Sequence, residues 1–226
     1  MSGAGADGGG PGRGAATGGG LAGAIQDRYD YRLIEEMVPD GATVLDLGCG
    51  DGELLAELVR DKHVRGSGVD LDPAAVEACV GKGLSVFHGD LDEGLADYLD
   101  GSIDAVILSF SLQQLRRPRM LVREMARVGR LAIVSFPNFA HWSVRGQLAA
   151  QGRMPVSKEL PYQWYETPNI HLCTVNDFRD LCRREGLRIE REAYLNHFDR
   201  PARSLRRPNL TARIAIFAIS RQAPAG

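Results

Sequence analysis

From residue 43 onward, short apolar runs alternate with segments of helical period. Thr43–Leu47, Gly66–Asp70, Leu84–His88, Ile103–Ser109 and Leu131–Phe136 have the length and composition of buried strands. Between them lie Glu53–Arg60, Pro73–Val80, a short Leu91–Leu99 segment, and a helix that starts near Pro118 and carries Leu121, Met125 and Val128 on one face. Strand and helix in strict alternation predict a parallel sheet. Pro118 suits a first helical turn and Gly129 suits the residue just past a helix end, so the punctuation agrees with the period. Ahead of this series, Tyr29, Leu33 and Met37, widened by Ile34 and Val38, predict an opening helix that Pro39-Asp40-Gly41 breaks. Behind it, residues 137–173 mix Pro, Asn, Gln, Trp, Tyr and His without clear period, and so long a connection points to function. Thr174-x-x-Asp177 then reads as a capping box for a helix bearing Phe178, Leu181 and Cys182 and closed by Gly186. Leu187–Leu195 and Ala212–Ser220 are the last two strands, and the connection between them permits either relative direction.

Residues 1–20 are almost wholly Gly, Ala, Ser, Thr and Pro, too poor in large apolar side chains to offset the entropy of ordering, and are expected to form a disordered tail. The rest, 21–226, is expected to be one domain with an aromatic insertion at about 137–173. The 27 basic and 29 acidic residues nearly cancel, which gives no whole-molecule pull on nucleic acid or on an anionic membrane. Arg116, Arg117, Arg119, Arg123, Arg127 and Arg130, and later Arg200, Arg203, Arg206 and Arg207, lack interleaved aromatics and read as solvated faces before they read as a partner patch. The four cysteines show no metal-like spacing, and no apolar run approaches the roughly 18–20 residues of a membrane span. A reducing, cytoplasmic setting without structural metal is expected.

Within this frame one stretch stands out: Val44-Leu45-Asp46-Leu47-Gly48-Cys49-Gly50-Asp51-Gly52-Glu53, an apolar strand, three glycines at alternate positions, and a helix. Bare GxGxG means little in this chain, since Gly10-Pro11-Gly12-Arg13-Gly14 repeats it with no strand before it. After a strand, however, glycine lets the backbone turn sharply and approach a ligand at the next helix N-terminus. An acid on the following strand end would grip a ribose, and Asp70 stands at that position. A turn that serves the fold alone is the competing reading. Dinucleotide turns want GxGxxG, whereas Glu53 stands where the third glycine should fall, and Asp46 and Asp51 would repel a pyrophosphate by about 1–4 kcal/mol per close pair. A cationic nucleoside such as S-adenosylmethionine avoids that repulsion. No GxxxxGK[ST] occurs, which removes the nucleotide hydrolases.

Asp46-x-Gly48-x-Gly50-x-Gly52, the acid of Gly68-Val69-Asp70-Leu71-Asp72, and Gly89-Asp90-Leu91 resemble the cofactor motifs of class I S-adenosylmethionine-dependent methyltransferases over about residues 40–135. That resemblance implies a Rossmann-like α/β fold: a mixed seven-stranded sheet, last strand antiparallel, with helices on both faces. It implies Asp70 on the ribose, Asp90 and Leu91 near the adenine, and the glycine turn under the methionyl part, so that the cofactor set comprises Asp46, Gly48, Cys49, Gly50, Gly52, Asp70, Leu71, Asp90, Leu91 and Ser109. Longer segments, including Gly89–Leu95, Arg116-Arg117-Pro118, Ser135–Phe139 and Trp164–Thr174, are similar to the bacterial MetW family of methionine biosynthesis. This second resemblance implies a link to homoserine acylation, with the homoserine O-acyltransferase MetX as partner, and brings no established methyl acceptor.

Chemistry, if any, would sit past the fourth and fifth strands, where Ser109, Ser111, Asn138 and His141 and the insertion's Tyr162, Trp164, Tyr165 and His171 are the candidates. The Asn/Asp-Pro-Pro-aromatic turn of amino-methylating enzymes is replaced by Ser109-Phe110-Ser111-Leu112. His141 and His171 read first as hydrogen-bonded packing residues, and Cys49 as a small turn residue, since no partner in sequence would ionise it. The insertion's aromatics suit an acceptor lid, a partner surface or a minor core. Two functions stay open: an accessory subunit that binds the cofactor and the acyltransferase, favoured by the lack of a recognised acceptor site, and a methyltransferase acting on a small molecule or a protein.

Overall fold

The computed structural model describes residues 29–157, 160–196, 201–202 and 205–222. The expectation for residues 1–20, and Arg200 and Arg203 of the basic clusters, lie outside the described residues. The series runs α1 (Tyr29–Glu35), β1 (Thr43–Leu47), α2 (Glu53–Lys62), β2 (Arg65–Asp70), α3 (Pro73–Gly81), β3 (Ser85–His88), β4 (Ile103–Ser109), α4 (Pro118–Val128), β5 (Gly129–Pro137), α5 (Trp142–Gln151), α6 (Val175–Arg184), β6 (Leu187–Asn196), β7 (Pro201–Ala202), α7 (Pro208–Thr211) and β8 (Ala212–Arg221).

All strands join one sheet in the order β3-β2-β1-β4-β5-β8-β6-β7, with β1 to β5 parallel and β8 antiparallel to both β5 and β6. The seven expected strands are there with the last one antiparallel, which settles the direction that the connection after β6 left open. The two-residue β7 on the edge of β6 is an addition, too short to carry any period.

Alternation along the strands divides the core between two faces. Leu45, Leu47, Val106, Leu108, Val134, Phe136 and Phe217 point to the side covered by α4 and α6. Val44, Ala105, Ile107, Ile133, Ile214 and Ile216 point to the side covered by α1 and α2. The opening helix is shorter than its apolar stripe: Met37 and Val38 are buried although α1 ends at Glu35, because the turn into Pro39 continues the same face. Gly129 follows α4 with an extended φ of −89°, so its role is room: a Cβ would stand 2.8 Å from the Leu131 carbonyl and 2.9 Å from Val106 Cγ2.

The insertion is not without structure. Its first part forms α5, which the sequence pattern gave no sign of, since Val144 alone among its residues is buried. A Thr174 hydroxyl that accepts from Asp177 N at 3.2 Å starts α6, and Gly186 in the left-handed region ends its turn, as the capping pattern predicted. No described helix is long and apolar enough to cross a membrane.

The arginines of α4 are engaged. Arg127 donates to Glu124, to Asp100 and to the Leu95 and Tyr98 carbonyls, which ties the helix to the segment before β4. Arg119 and Arg123 both reach Glu185, and Arg130, just beyond the helix on β5, reaches Asp104.

Candidate functional site

Parallel strands β1 to β4 end on the same edge, so the loops after them are neighbours whatever their sequence. At that edge Gly48, Gly50 and Gly52 all adopt the left-handed region, at φ of +68°, +56° and +77°. Each position is constrained differently. A Cβ on Gly48 would meet Ser111 Oγ at 2.6 Å, and one on Gly52 would meet Leu84 Cδ1 at 2.6 Å and Cys79 Sγ at 2.7 Å. A Cβ on Gly50 would meet nothing within 4 Å, so its backbone lies bare at the mouth of the turn.

Main-chain and carboxylate bonds join the turn to β2. Gly48 N and Cys49 N donate to the Val69 carbonyl at 2.7 and 3.2 Å, and Gly50 N donates to Asp70 Oδ2 at 2.7 Å. Asp70 Oδ1 accepts from Asp72 N at 2.9 Å, and Gly89 N donates to the Asp70 carbonyl at 3.0 Å. One acid thus binds the glycine turn to the head of α3 while the loop after β3 hangs on the same residue. Each carboxylate oxygen accepts more than one hydrogen bond, so Asp70 keeps capacity for further donors.

The remaining expected positions divide. Asp46 lies buried on β1 between β2 and β4. Leu71 is 59% exposed just past Asp70, an apolar surface at the edge of the site. Asp90 Oδ1 accepts from Asp92 N at 2.8 Å and caps a short turn, while Leu91 is buried, 3.8 Å from the place of a Gly48 Cβ, and supports the turn from beneath. Ser109 Oγ pairs with Ser135 Oγ at 3.0 Å, and it is Ser111 that faces the glycine turn. Asp51 is paired with Lys82 at 3.0 Å, so the repulsion argued against a pyrophosphate rests on Asp46 and Asp70 rather than on Asp51.

Cys49 packs its Sγ 3.9 Å from Cys79 Sγ, and Cys79 also reaches the Gly50 carbonyl at 3.3 Å. Burial, followed by the Asp46 charge, pushes the Cys49 thiol far up, which keeps it protonated and inert as a nucleophile. Gly68 makes this packing possible, since a Cβ there would stand 2.6 Å from Cys49 Sγ. Gly68 and Cys79 were not legible as site residues, because both act through contacts between elements.

Past β4, Phe110 takes a left-handed φ of +55°, strained for an aromatic residue, with its N–H on the Ser135 carbonyl. Buried Gln113 stabilises that turn by donating from Nε2 to the Phe110 carbonyl at 2.7 Å, and its main-chain carbonyl accepts from Ile170 N and His171 N of the insertion at 2.8 and 3.0 Å. Gln113 Oε1 is buried with no hydrogen-bond partner among the described residues. The insertion is therefore fastened to the loop after β4 by its backbone, while Trp164 and Tyr165, an edge-on pair 5.5 Å apart, stand 70% and 65% exposed.

Two of the proposed reactive residues have structural duties instead. His141 caps α5, accepting from Ser143 N and sharing a 2.7 Å bond with Ser143 Oγ. Asn138, 3% exposed, donates to the Ala212 and Asn209 carbonyls and accepts from Ala140 N and Val175 N, tying the end of β5 to the starts of α6 and β8. Replacing it leaves several buried main-chain groups without partners, so Asn138→Ala is expected to lose roughly 1–3 kcal/mol of stability in urea denaturation, whereas a purely catalytic residue would leave the midpoint unchanged.

This sheet order, with the glycine turn after β1 and an acid ending β2, defines a Rossmann-like fold of the class I S-adenosylmethionine-dependent methyltransferases. Solved structures agree on the fold: magnesium protoporphyrin IX methyltransferase from Synechocystis, holding S-adenosylhomocysteine, superposes with a TM-score of 0.59 at 18% identity over 90% of this chain and 84% of its own. The [4+2]-cyclase SpnF superposes at 0.62 and 17% identity over 88% of this chain and 82% of its own. The family model for methionine biosynthesis protein MetW matches residues 28–219, and the chain belongs to the MetW family. The bifunctional methionine biosynthesis protein MetXA/MetW of Rhodopirellula baltica is 37% identical over 205 residues, 85% of this chain. The chain spans 33% of that relative's length.

Proposed function

We propose that this chain is an S-adenosylmethionine-binding subunit of methionine biosynthesis that works beside a homoserine O-acyltransferase of the MetX type. The observation that carries the partnership is the relative named MetXA/MetW, in which a MetW-like third shares one polypeptide with the other function. Fusion holds two parts at high effective concentration, which suits parts that work together.

Cofactor binding rests on the glycine turn. Gly50 leaves open space where a side chain would stand, Asp70 offers a carboxylate, Leu71 offers an apolar edge, and Asp46 and Asp70 favour a sulfonium or ammonium over a phosphate. When bound, S-adenosylmethionine supplies an electrophilic methyl group. SpnF, whose name states a cyclase on the same fold, is a reminder that this architecture does not dictate methyl transfer.

Isothermal titration with S-adenosylmethionine, with and without the purified acyltransferase, tests both halves. Asp70→Ala is expected to weaken cofactor binding about tenfold to a hundredfold, since charge-assisted hydrogen bonds are worth about 1.5–3 kcal/mol each. An unchanged affinity removes Asp70 from the site. A second reading, an active methyltransferase, is favoured by one observation: buried Gln113 Oε1 is an unmatched acceptor in the loop after β4, beneath the insertion. Turnover of S-adenosylmethionine to S-adenosylhomocysteine in the presence of an acceptor, lost in Gln113→Ala with binding retained, would establish that reading.

A further inference from the structure

Folding normally buries large apolar side chains, and those left outside cluster where something else covers them. Of the thirteen large hydrophobic residues exposed among the described ones, eight lie in the insertion, so the exposure is concentrated there rather than scattered as on an ordinary surface. Its later part holds the most exposed of these eight, Trp164, Tyr165 and Ile170 at 70%, 65% and 58%, with Leu172 at 44%.

The backbone of this segment is not loose. Ile170 N and His171 N are bonded to the Gln113 carbonyl, Phe139 N donates to the Cys173 carbonyl at 3.0 Å, and Glu166 N donates to the Gln163 carbonyl at 3.0 Å. Tied to the fold at residues 170–173 and closed into a turn at 163–166, the segment holds its aromatic pair outward, which lowers the ordering cost that a flexible loop would meet on binding. Trp and Tyr are the side chains that most often dominate protein interfaces, for their large rigid area and polar edge.

We propose that the outward face of Trp164, Tyr165, Ile170 and Leu172 is the surface on which this chain docks a homoserine O-acyltransferase. The inference rests on the partnership proposed above and deepens it by locating the contact. The fused relative argues for that occupant: it carries the MetXA function on the same polypeptide as a part 37% identical to this chain. A second copy of this chain, or a lid over the cofactor edge, are the competing occupations, and the test separates them.

The experiment measures three quantities for the full chain, for the double variant Trp164→Ala with Tyr165→Ala, and for Ile170→Asp: affinity for the purified acyltransferase, affinity for S-adenosylmethionine, and sedimentation mass alone. Because the replaced side chains are mostly exposed, the variants are expected to melt within a few degrees of the wild type. Expected are a wild-type complex with the acyltransferase, at least a tenfold loss of that affinity in both variants, and cofactor affinity within twofold of wild type. A wild-type complex that both variants form equally well overturns the surface while leaving the partnership standing. No wild-type complex overturns the partnership and the surface together. Loss of cofactor binding with the complex intact makes the insertion a lid, and a wild-type dimer that the variants dissociate, with acyltransferase binding intact, gives the face to a second copy of this chain.

Discussion

Gly50→Val is expected to reduce S-adenosylmethionine affinity at least a hundredfold while costing the fold only about 1–3 kcal/mol. The residue sits at φ +56°, where an L side chain is strained by about 1–2 kcal/mol and a β-branched one by more. No neighbour lies within 4 Å of the added Cβ, so packing does not resist it and the molecule remains folded. The strain relaxes by rotating the Gly50 peptide away, which breaks the Gly50 N–Asp70 Oδ2 bond, and the isopropyl group fills the space that a ligand would need. Gly48 and Gly52 are poorer probes, since there the new atom would strike Ser111, Leu84 or Cys79 at 2.6–2.7 Å and destabilise the protein whether or not a ligand binds. Titration calorimetry beside thermal melting reads both quantities. Wild-type affinity in a folded Gly50→Val protein would mean that the turn holds no cofactor.

The β1 turn could be read from the sequence because everything that defines it is local: an apolar run, three alternating glycines, and a helix that starts at once. The place of Asp70 at the end of β2, beside the turn, could be read as well, since the spacing of a βαβ unit is nearly fixed by its geometry. What lies under the turn could not. The contact of Gly68 with Cys49, and that of Cys79 with the Gly50 carbonyl, join residues on different elements, and no period or motif encodes them. Gln113 was invisible for another reason: its side chain serves only the nearby Phe110 carbonyl, and the insertion hangs on its main-chain carbonyl, which no residue type announces.

Helix α5 escaped for a different reason. Hydrophobic periodicity detects a helix by the face it buries, and α5 buries Val144 while leaving Trp142 and Leu148 exposed. Its start is marked by His141, an uncommon cap whose ring nitrogen substitutes for the usual Ser, Thr, Asp or Asn oxygen. Asn138, read as a reactive candidate because it follows a strand end, turned out to satisfy main-chain groups from three elements. Strand ends in this fold carry both ligand contacts and junctions, and residue type alone does not separate the two.

Phe178→Ala is expected to cost about 3–5 kcal/mol of stability, the largest loss of any substitution considered for this chain. Phe178 is fully buried on α6, with its ring centroid 5.1 Å from Phe136 of β5 and 4.8 Å from Phe217 of β8, while Phe136 and Phe217 stack 5.9 Å apart at 4°. Removing the ring opens a cavity where three elements meet, and the stacked pair sits on a sheet whose backbone cannot move in to fill it. For a domain of this size such a loss lowers the melting temperature by roughly 10 °C. Phe178→Leu retains much of the volume and is expected to lose distinctly less. Since α6 follows the insertion directly, the variant also weakens the anchor of that segment, so docking of the acyltransferase should fall more than cofactor affinity when both are measured well below the melting point. A melting point within 2 °C of wild type would mean that α6 does not pack its aromatic face on the sheet, and the position of the docking face would then lose its support.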